Sequence, residues 1–192
     1  MTAESLALPN LRKMFVPDEG YVIIDVDLER ADAQVVAWDA GDEELKQMFR
    51  ENADIHSENA KAVFHLNREP TYGERQKAKQ GVHATNYGTS ARTLAVHLGT
   101  TVKEAEDFIN RWLDAHPPIK KWHDRVWYQL KTTRTVKNAF GYQIKFLDRL
   151  DTNLRNQALA WIAQSTVANV TNFGLINVDE NLSGQPWDVQ LL

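Results

Sequence analysis

The chain has 192 residues, 43% hydrophobic and 25% charged, which supports one packed core and excludes a disordered chain. It holds no cysteine and no apolar run near the roughly 20 residues that span a bilayer, so disulfides, thiolate metal sites and a membrane are excluded, and a reducing, cytoplasmic setting is expected. The formal net charge of −4 does not mark a nucleic-acid binder, but acids outnumber bases by eleven to three from Asp25 to Glu58, while seven Lys/Arg face only Asp114 and Asp124 from Arg111 to Lys137.

Taken in chain order, Tyr21 to Asp27 is rich in β-branched residues and follows the turn-like Pro17-Asp18-Glu19-Gly20. It reads as a buried strand ending in acids, with Asp25 and Asp27 on one face. Ala31 to Trp38 is a helix that Gly41 interrupts, and a second helix begins at Asp42-Glu43-Glu44. Asp54 and Ser57 are each suited to cap a third helix reaching Phe64. Thr71 to Tyr87 reads as a long helix stopping near Gly88, with Gly81 costing about 1 kcal/mol against Ala. Thr101 and Glu104 form a capping box, and Pro117-Pro118 ends that helix and opens the next. Thr132 to Val136 and Gln143 to Phe146 form a hairpin through Asn138-Ala139-Phe140-Gly141. Leu150 to about Gly174 is a long helix. Trp187 to Leu192 alternates like a strand, in which the sequence stops, so truncation is expected.

Two constellations carry chemistry. Arg75, Lys79, His83 and Tyr87 recur every four residues, a stripe about 18 Å long on one helix face, with Gly88 directly after. Guanidinium, ammonium, imidazole and phenol in that order suit a nucleoside triphosphate, with charge for the phosphates at one end and rings for sugar and base at the other. The same spacing also describes a solvated basic face. Asp27 closes the first strand and Asp32 follows five residues on. Such a pair is suited to Mg²⁺, a hard cation that takes oxygens and substrate phosphate, and is equally suited to capping backbone N–H groups.

The segment I-D-V-D-L-E-R-A-D-A-Q-V-V-A-W resembles motif A of family A (DNA polymerase I-like) DNA polymerases, and R-Q-K-A-K-Q-G-V-H-A-T-N-Y-G resembles their motif B. Asn10-Leu11-Arg12 with Phe15, Asp54-Ile55-His56, Phe140-Gly141 and Gln164-Ser165-Thr166 also match, so the resemblance covers nearly the whole chain, with wording closest to phage-type members. It implies an α+β fold, a mainly helical fingers subdomain on a small, incomplete antiparallel palm sheet. The implied divisions are 1–40, a palm part with motif A; 41–130, fingers with motif B; and 131–192, a palm part ending before motif C.

Carried over by position, the resemblance makes Asp27 a catalytic metal ligand, with the Leu28 carbonyl as a second oxygen and two Mg²⁺ ions in the complete enzyme. Asp32 takes the steric-gate position, where the family usually has Glu, which leaves sugar discrimination open. Arg75, Lys79 and His56 contact the triphosphate, and Lys79 also protonates the leaving pyrophosphate. Tyr87 stacks near the templating base, while Arg12, Gln164 and Gly88 touch primer-template DNA. His83 replaces a usual Phe or Tyr, implying altered analogue selectivity, and Tyr142 replaces a common Arg. Asn156 and Ala160 fall on the minor-groove helix, where Ala160 offers no hydrogen bond. Motif C, a His-Asp strand, is expected beyond Leu192. Asp188 is not that aspartate, and Asp179 and Glu180 read as solvated loop acids.

The implied partners are therefore dNTPs, primer-template DNA and a C-terminal polymerase fragment carrying motif C, pairing along the edge of Gln185 to Leu192. A split gene, an intein or an incomplete gene each accounts for the stop. Two other readings stand beside this one: a non-catalytic nucleotide or nucleic-acid binding module using the same basic helix, and a Mg²⁺-dependent nuclease using Asp25, Asp27 and Asp32.

Overall fold

The computed structural model describes residues 11–183 and 185. A short 3-10 turn at Leu11–Met14 leads into an irregular segment, and then helices follow one another: α1 Ala31–Ala40, α2 Glu43–Arg50, α3 Ile55–Phe64, α4 Tyr72–Asn86, α5 Ala91–Leu98, α6 Val102–Ala115 and α7 Pro117–Thr132. The hairpin β1 Thr135–Lys137 and β2 Gln143–Lys145 precedes a 31-residue helix, α8 Thr152–Leu182. No described helix is long and apolar enough to cross a membrane.

Local chemistry sets most helix starts. Asp42, Asp54, Thr71, Ser90, Thr101 and Asp151 each accept a backbone N–H from the third residue beyond, satisfying one of the donors that a helix leaves open. The Thr71–Glu74 box is reinforced by Arg68, which grips Glu74 through both terminal nitrogens at 2.9 and 2.8 Å. The sequence reading misses α5, although Ser90 at its start and Gly99 in the left-handed region (φ 62°) after its end are its signals.

The core lies where α1, α4, α6, α7 and α8 meet, around the fully buried Trp112, Trp122, Ile119, Leu130, Leu154 and Leu159. Asn86, the last residue of α4, anchors that helix to two others. Its side-chain oxygen accepts from Trp112 Nε1 and its carbonyl accepts from His123 Nε2, both at 2.8 Å. A second buried polar link joins the α6–α7 corner to the start of α2, with His116 Nδ1 2.8 Å from Asp42 Oδ2. The Asp42 carboxyl lies below its usual range: burial pushes it up, but the hydrogen bonds and charge from His116 and the Leu45 N–H outweigh that together.

Gly81 sits in α4 against the ring of Phe108, and a Cβ built there would lie 2.4 Å from Phe108 Cζ. Its absence of a side chain is what lets α4 and α6 close on each other.

Three sequence expectations change. Residues 21–28 form no strand, and Val22, Ile24 and Val26 are 79%, 81% and 82% exposed. β propensity alone does not make a strand, because the ladder bonds come from a neighbour and no strand lies beside this segment among the described residues. The hairpin is shorter than expected, because α7 runs on through Thr132 and Arg134 turns the chain at φ 60°, leaving the register Thr135↔Lys145, Val136↔Ile144, Lys137↔Gln143. Helix α8 continues past Gly174 to Leu182, which places Asp179 and Glu180 on an exposed helix instead of a loop. The expected strand at Trp187 to Leu192 lies outside the described residues.

Candidate functional site

The basic stripe predicted on α4 exists, and α3 completes it. Asp54 caps α3 by accepting from Ser57 N at 3.4 Å and Ser57 Oγ at 2.7 Å, and its two oxygens also receive the fork of Arg75, Nε at 3.1 Å and Nη2 at 3.0 Å. The Arg75 guanidinium is the main reason the Asp54 carboxyl is held far below the ordinary carboxylate range. Two residues along α3, His56 is half-buried and its pKa is pushed down, first by burial and then by the charges of Lys79 and Arg75. The packing of α3 along α4 therefore brings together His56, Arg75 and Lys79, the three groups expected at a triphosphate. A half-buried imidazole whose protonated form is disfavoured by nearby cations is a site that gains by taking up an anion.

Toward the far end of α4, the exposed His83 sets its ring edge-on to Tyr87, with centroids 4.7 Å apart and planes at 79°. Tyr87 Oη is enclosed with no hydrogen-bond partner among the described residues. Burial and then the charge of Asp32 in the first turn of α1 raise the phenol well above its usual pKa. Asp32 is thus a close neighbour of the hydroxyl, short of a formed hydrogen bond. Asp32 of α1 and the ring end of the α4 stripe thus lie side by side.

Gly88 takes φ 74°, and a Cβ there would lie 2.5 Å from Asn156 Oδ1 on α8. Its carbonyl accepts from Arg155 Nη2 at 3.3 Å. Gln164 is exposed on the same helix. Directly after it and a turn further on, Ser165 and Asn169 accept from Asn138 Nδ2 at 3.2 and 2.8 Å, tying the hairpin turn to α8. Arg12 falls in the 3-10 turn, and its side chain lies outside the described residues.

Arg30 is a residue that sequence reasoning missed. It turns the chain into α1 at φ 54°, donates to the Ala53 carbonyl at 2.9 Å from Nη1, pairs with Glu29 at 2.8 Å, and keeps a buried Nε without a partner among the described residues. Its charge also reaches His56. No local pattern signals this, since the contact spans 23 residues.

Asp27 and Leu28 are exposed in the irregular segment, in no strand among the described residues. Among the described residues no group of three or more acids or imidazoles converges as a metal site, so Asp25, Asp27 and Asp32 do not form the trio a nuclease would need. A carboxylate followed by a main-chain carbonyl is nonetheless a hard-oxygen pair of the kind Mg²⁺ takes, with phosphate and water filling its remaining positions.

A family model described as DNA polymerase family A matches residues 3–192 of the chain. The chain is 30% identical over 190 residues to the thermostable DNA polymerase I of Thermus filiformis, a match covering 95% of the chain and 22% of that polymerase. It is 28% identical to DNA polymerase I of Lactococcus lactis subsp. lactis, again over 95% of the chain and 22% of the relative. The chain thus spans about a fifth of the length of these curated relatives. Its fold is similar to that of the POL domain of Pol1 from M. smegmatis, solved in complex with DNA primer-template and dNTP, with a TM-score of 0.73 and 22% identity over 82% of this chain and 29% of that one.

Proposed function

The chain belongs to DNA polymerase family A, and from that premise we propose that it forms the nucleotide-binding part of a template-directed DNA polymerase, adding dNTPs to a primer 3′-OH with release of pyrophosphate. The observation that carries this reading is the convergence of His56, Arg75 and Lys79 at one end of α4, with His83, Tyr87 and Asp32 at the other. Residues 1–40 and 131–192 are read as palm and 41–130 as fingers.

The chemistry follows from these side chains. Arg75 exchanges its Asp54 partner for triphosphate oxygens, Lys79 neutralises charge as it develops and hands a proton to the leaving pyrophosphate, and His56 becomes cationic as phosphate approaches. Tyr87 closes the sugar and base end, with Asp32 beneath it as a short sugar gate. Arg12, Gly88 and Gln164 contact primer-template DNA. Asp27 and the Leu28 carbonyl would hold Mg²⁺, which when bound would supply Lewis-acid stabilisation of the developing charge, with two ions serving the complete site.

One carboxylate is only part of that clamp, so a C-terminal segment bearing a His-Asp strand is the proposed partner. The exposed apolar run of Val22, Ile24 and Val26, with exposed Val170, Phe173 and Ile176 on α8, offers surface for such a strand to bury. The setting is cytoplasmic, in a bacterial or phage-infected cell. The exposed, irregular backbone of residues 21–28, which includes the proposed metal-ligating Asp27, favours a second reading for the described residues alone, a nucleotide-binding module without chemistry.

Two measurements test these readings. Mg²⁺-dNTP binding should weaken at least tenfold in Arg75→Ala/Lys79→Ala, and unchanged binding refutes the assignment of the stripe. Primer extension by the chain mixed with a fragment carrying the His-Asp strand should appear and be lost in Asp27→Ala; a well-folded but inactive mixture that still binds dNTP supports the module.

A further inference from the structure

The proposed reaction leaves unused the basic stretch that the sequence concentrates between Arg111 and Lys137. In the structure it becomes a surface. Helix α7 turns Ile119, Trp122, His123, Val126 and Leu130 into the core, so its outer side carries Lys120, Lys121, Arg125 and Lys131 against the single acid Asp124. Over 16 residues that face is about 24 Å long. None of Lys120, Lys121, Lys131 or the nearby Lys137 has an acidic partner within 4 Å among the described residues.

Aromatic rings are set among these cations. Tyr128 is 67% exposed on the same face, and Lys131 Nζ lies 5.0 Å from the ring centroid of Trp127. Beside α7, a cleft of about 300 Å³ is lined by Trp38, Arg125, Gln129 and Lys137, with Asp39 as its acid. That acid is already engaged, since Arg125 Nη2 pairs with its carboxylate at 3.3 Å and Trp122 Nε1 donates to the same carboxylate. Trp38 is 46% exposed, and beyond it stand Arg50 and Lys46 at 5.7 and 6.0 Å from its ring.

We infer that the outer face of α7, together with the Trp38 cleft, is a binding track for single-stranded DNA, separate from the α3–α4 triphosphate cluster. Unpaired cations at the spacing of one helix face suit a phosphate backbone, and exposed rings between them suit bases that are not stacked in a duplex. A duplex keeps its bases stacked inside and so uses only the cations. An acidic protein would likewise use the charges but not the rings, which is why the single strand is the better fit.

The test is fluorescence anisotropy of a labelled oligo-dT and of a mixed-sequence duplex of equal length, titrated with this chain at several salt concentrations. With four unpaired lysines engaged, the slope of log affinity against log salt is expected near about −3 for the single strand, and Lys120→Glu/Lys121→Glu should flatten it by about 1.4. Tyr128→Ala should weaken oligo-dT binding about tenfold while leaving duplex binding unchanged, and Tyr128→Phe, which keeps the ring, should bind like the parent. Arg75→Ala/Lys79→Ala should bind oligo-dT normally even where dNTP binding is lost, so failure of the polymerase reading and failure of this one are told apart. The inference is overturned if Tyr128→Ala changes both ligands alike or neither, if polyglutamate competes as well as oligo-dT does, or if Arg75→Ala/Lys79→Ala abolishes oligo-dT binding.

Discussion

Gly81→Ala is a substitution for which local and tertiary physics give opposite signs. In a helix interior the change from Gly to Ala is worth about 1 kcal/mol in favour of the folded state. At this position the new Cβ would meet Phe108 Cζ at 2.4 Å, Cε1 at 2.8 Å and Cε2 at 3.0 Å, where carbon atoms prefer roughly 3.5 Å or more. Phe108 is buried and packs edge-on against Phe64 at 5.8 Å, and although both rings border a cleft of about 290 Å³, the Phe108 ring can yield only by giving up that packing. Overpacking of this kind costs about 1–3 kcal/mol, and an overlap of roughly 1 Å on a packed aromatic ring belongs at the upper end. The net expectation is a loss of about 2 kcal/mol, or about 4–8 °C in Tm for a chain of this size. Urea unfolding followed by circular dichroism measures it. Phe108→Leu should be destabilising alone yet restore much of the loss in the double variant, with a coupling above about 1 kcal/mol. A Gly81→Ala chain that unfolds at higher urea than the parent refutes the reasoning, because the α4–α6 contact would then be looser than the geometry requires.

Further outcomes follow from the same site. Asp54→Asn keeps the cap on α3 but loses the charge on the Arg75 fork; because the pair is substantially exposed, stability should fall by no more than about 1 kcal/mol while dNTP affinity rises, as titration calorimetry would show. His56, held below its usual pKa by burial and then by Lys79 and Arg75, should take up a proton as triphosphate binds, so dNTP binding should tighten from pH 8 to pH 6.5 with heats that depend on buffer ionisation, and His56→Asn should remove both effects. His123 is depressed chiefly by burial, so the unfolded chain binds the proton more readily than the folded one. Its contribution to stability is full above about pH 6.5 and is lost as pH falls below that, and His123→Phe should flatten the decline in urea midpoint between pH 7 and pH 5.

What could be read along the chain was what neighbours in sequence dictate. Caps at Asp42, Asp54, Thr71 and Thr101 are contacts between residues three apart, so their helices were legible to within a residue or two. The stripe Arg75, Lys79, His83, Tyr87 was legible for the same reason, being a property of one helix. Helix α5 was passed over although its cap and its terminal glycine were in plain view.

The sequence by itself determined most of the helical segments, the ordering of charge and rings on α4, and the family to which the chain belongs. Only the tertiary structure decided that Asp54 holds Arg75 across 21 residues, that Asp32 approaches Tyr87, that Gly81 is a packing requirement, and that the basic residues of α7 face outward beside an exposed Trp38. It also decided that residues 21–28, strand-like in composition, form no strand among the described residues. The physical reason is common to all of these: a helix closes its hydrogen bonds within its own segment, whereas ion pairs, close packing and β ladders are completed by residues far away in the chain.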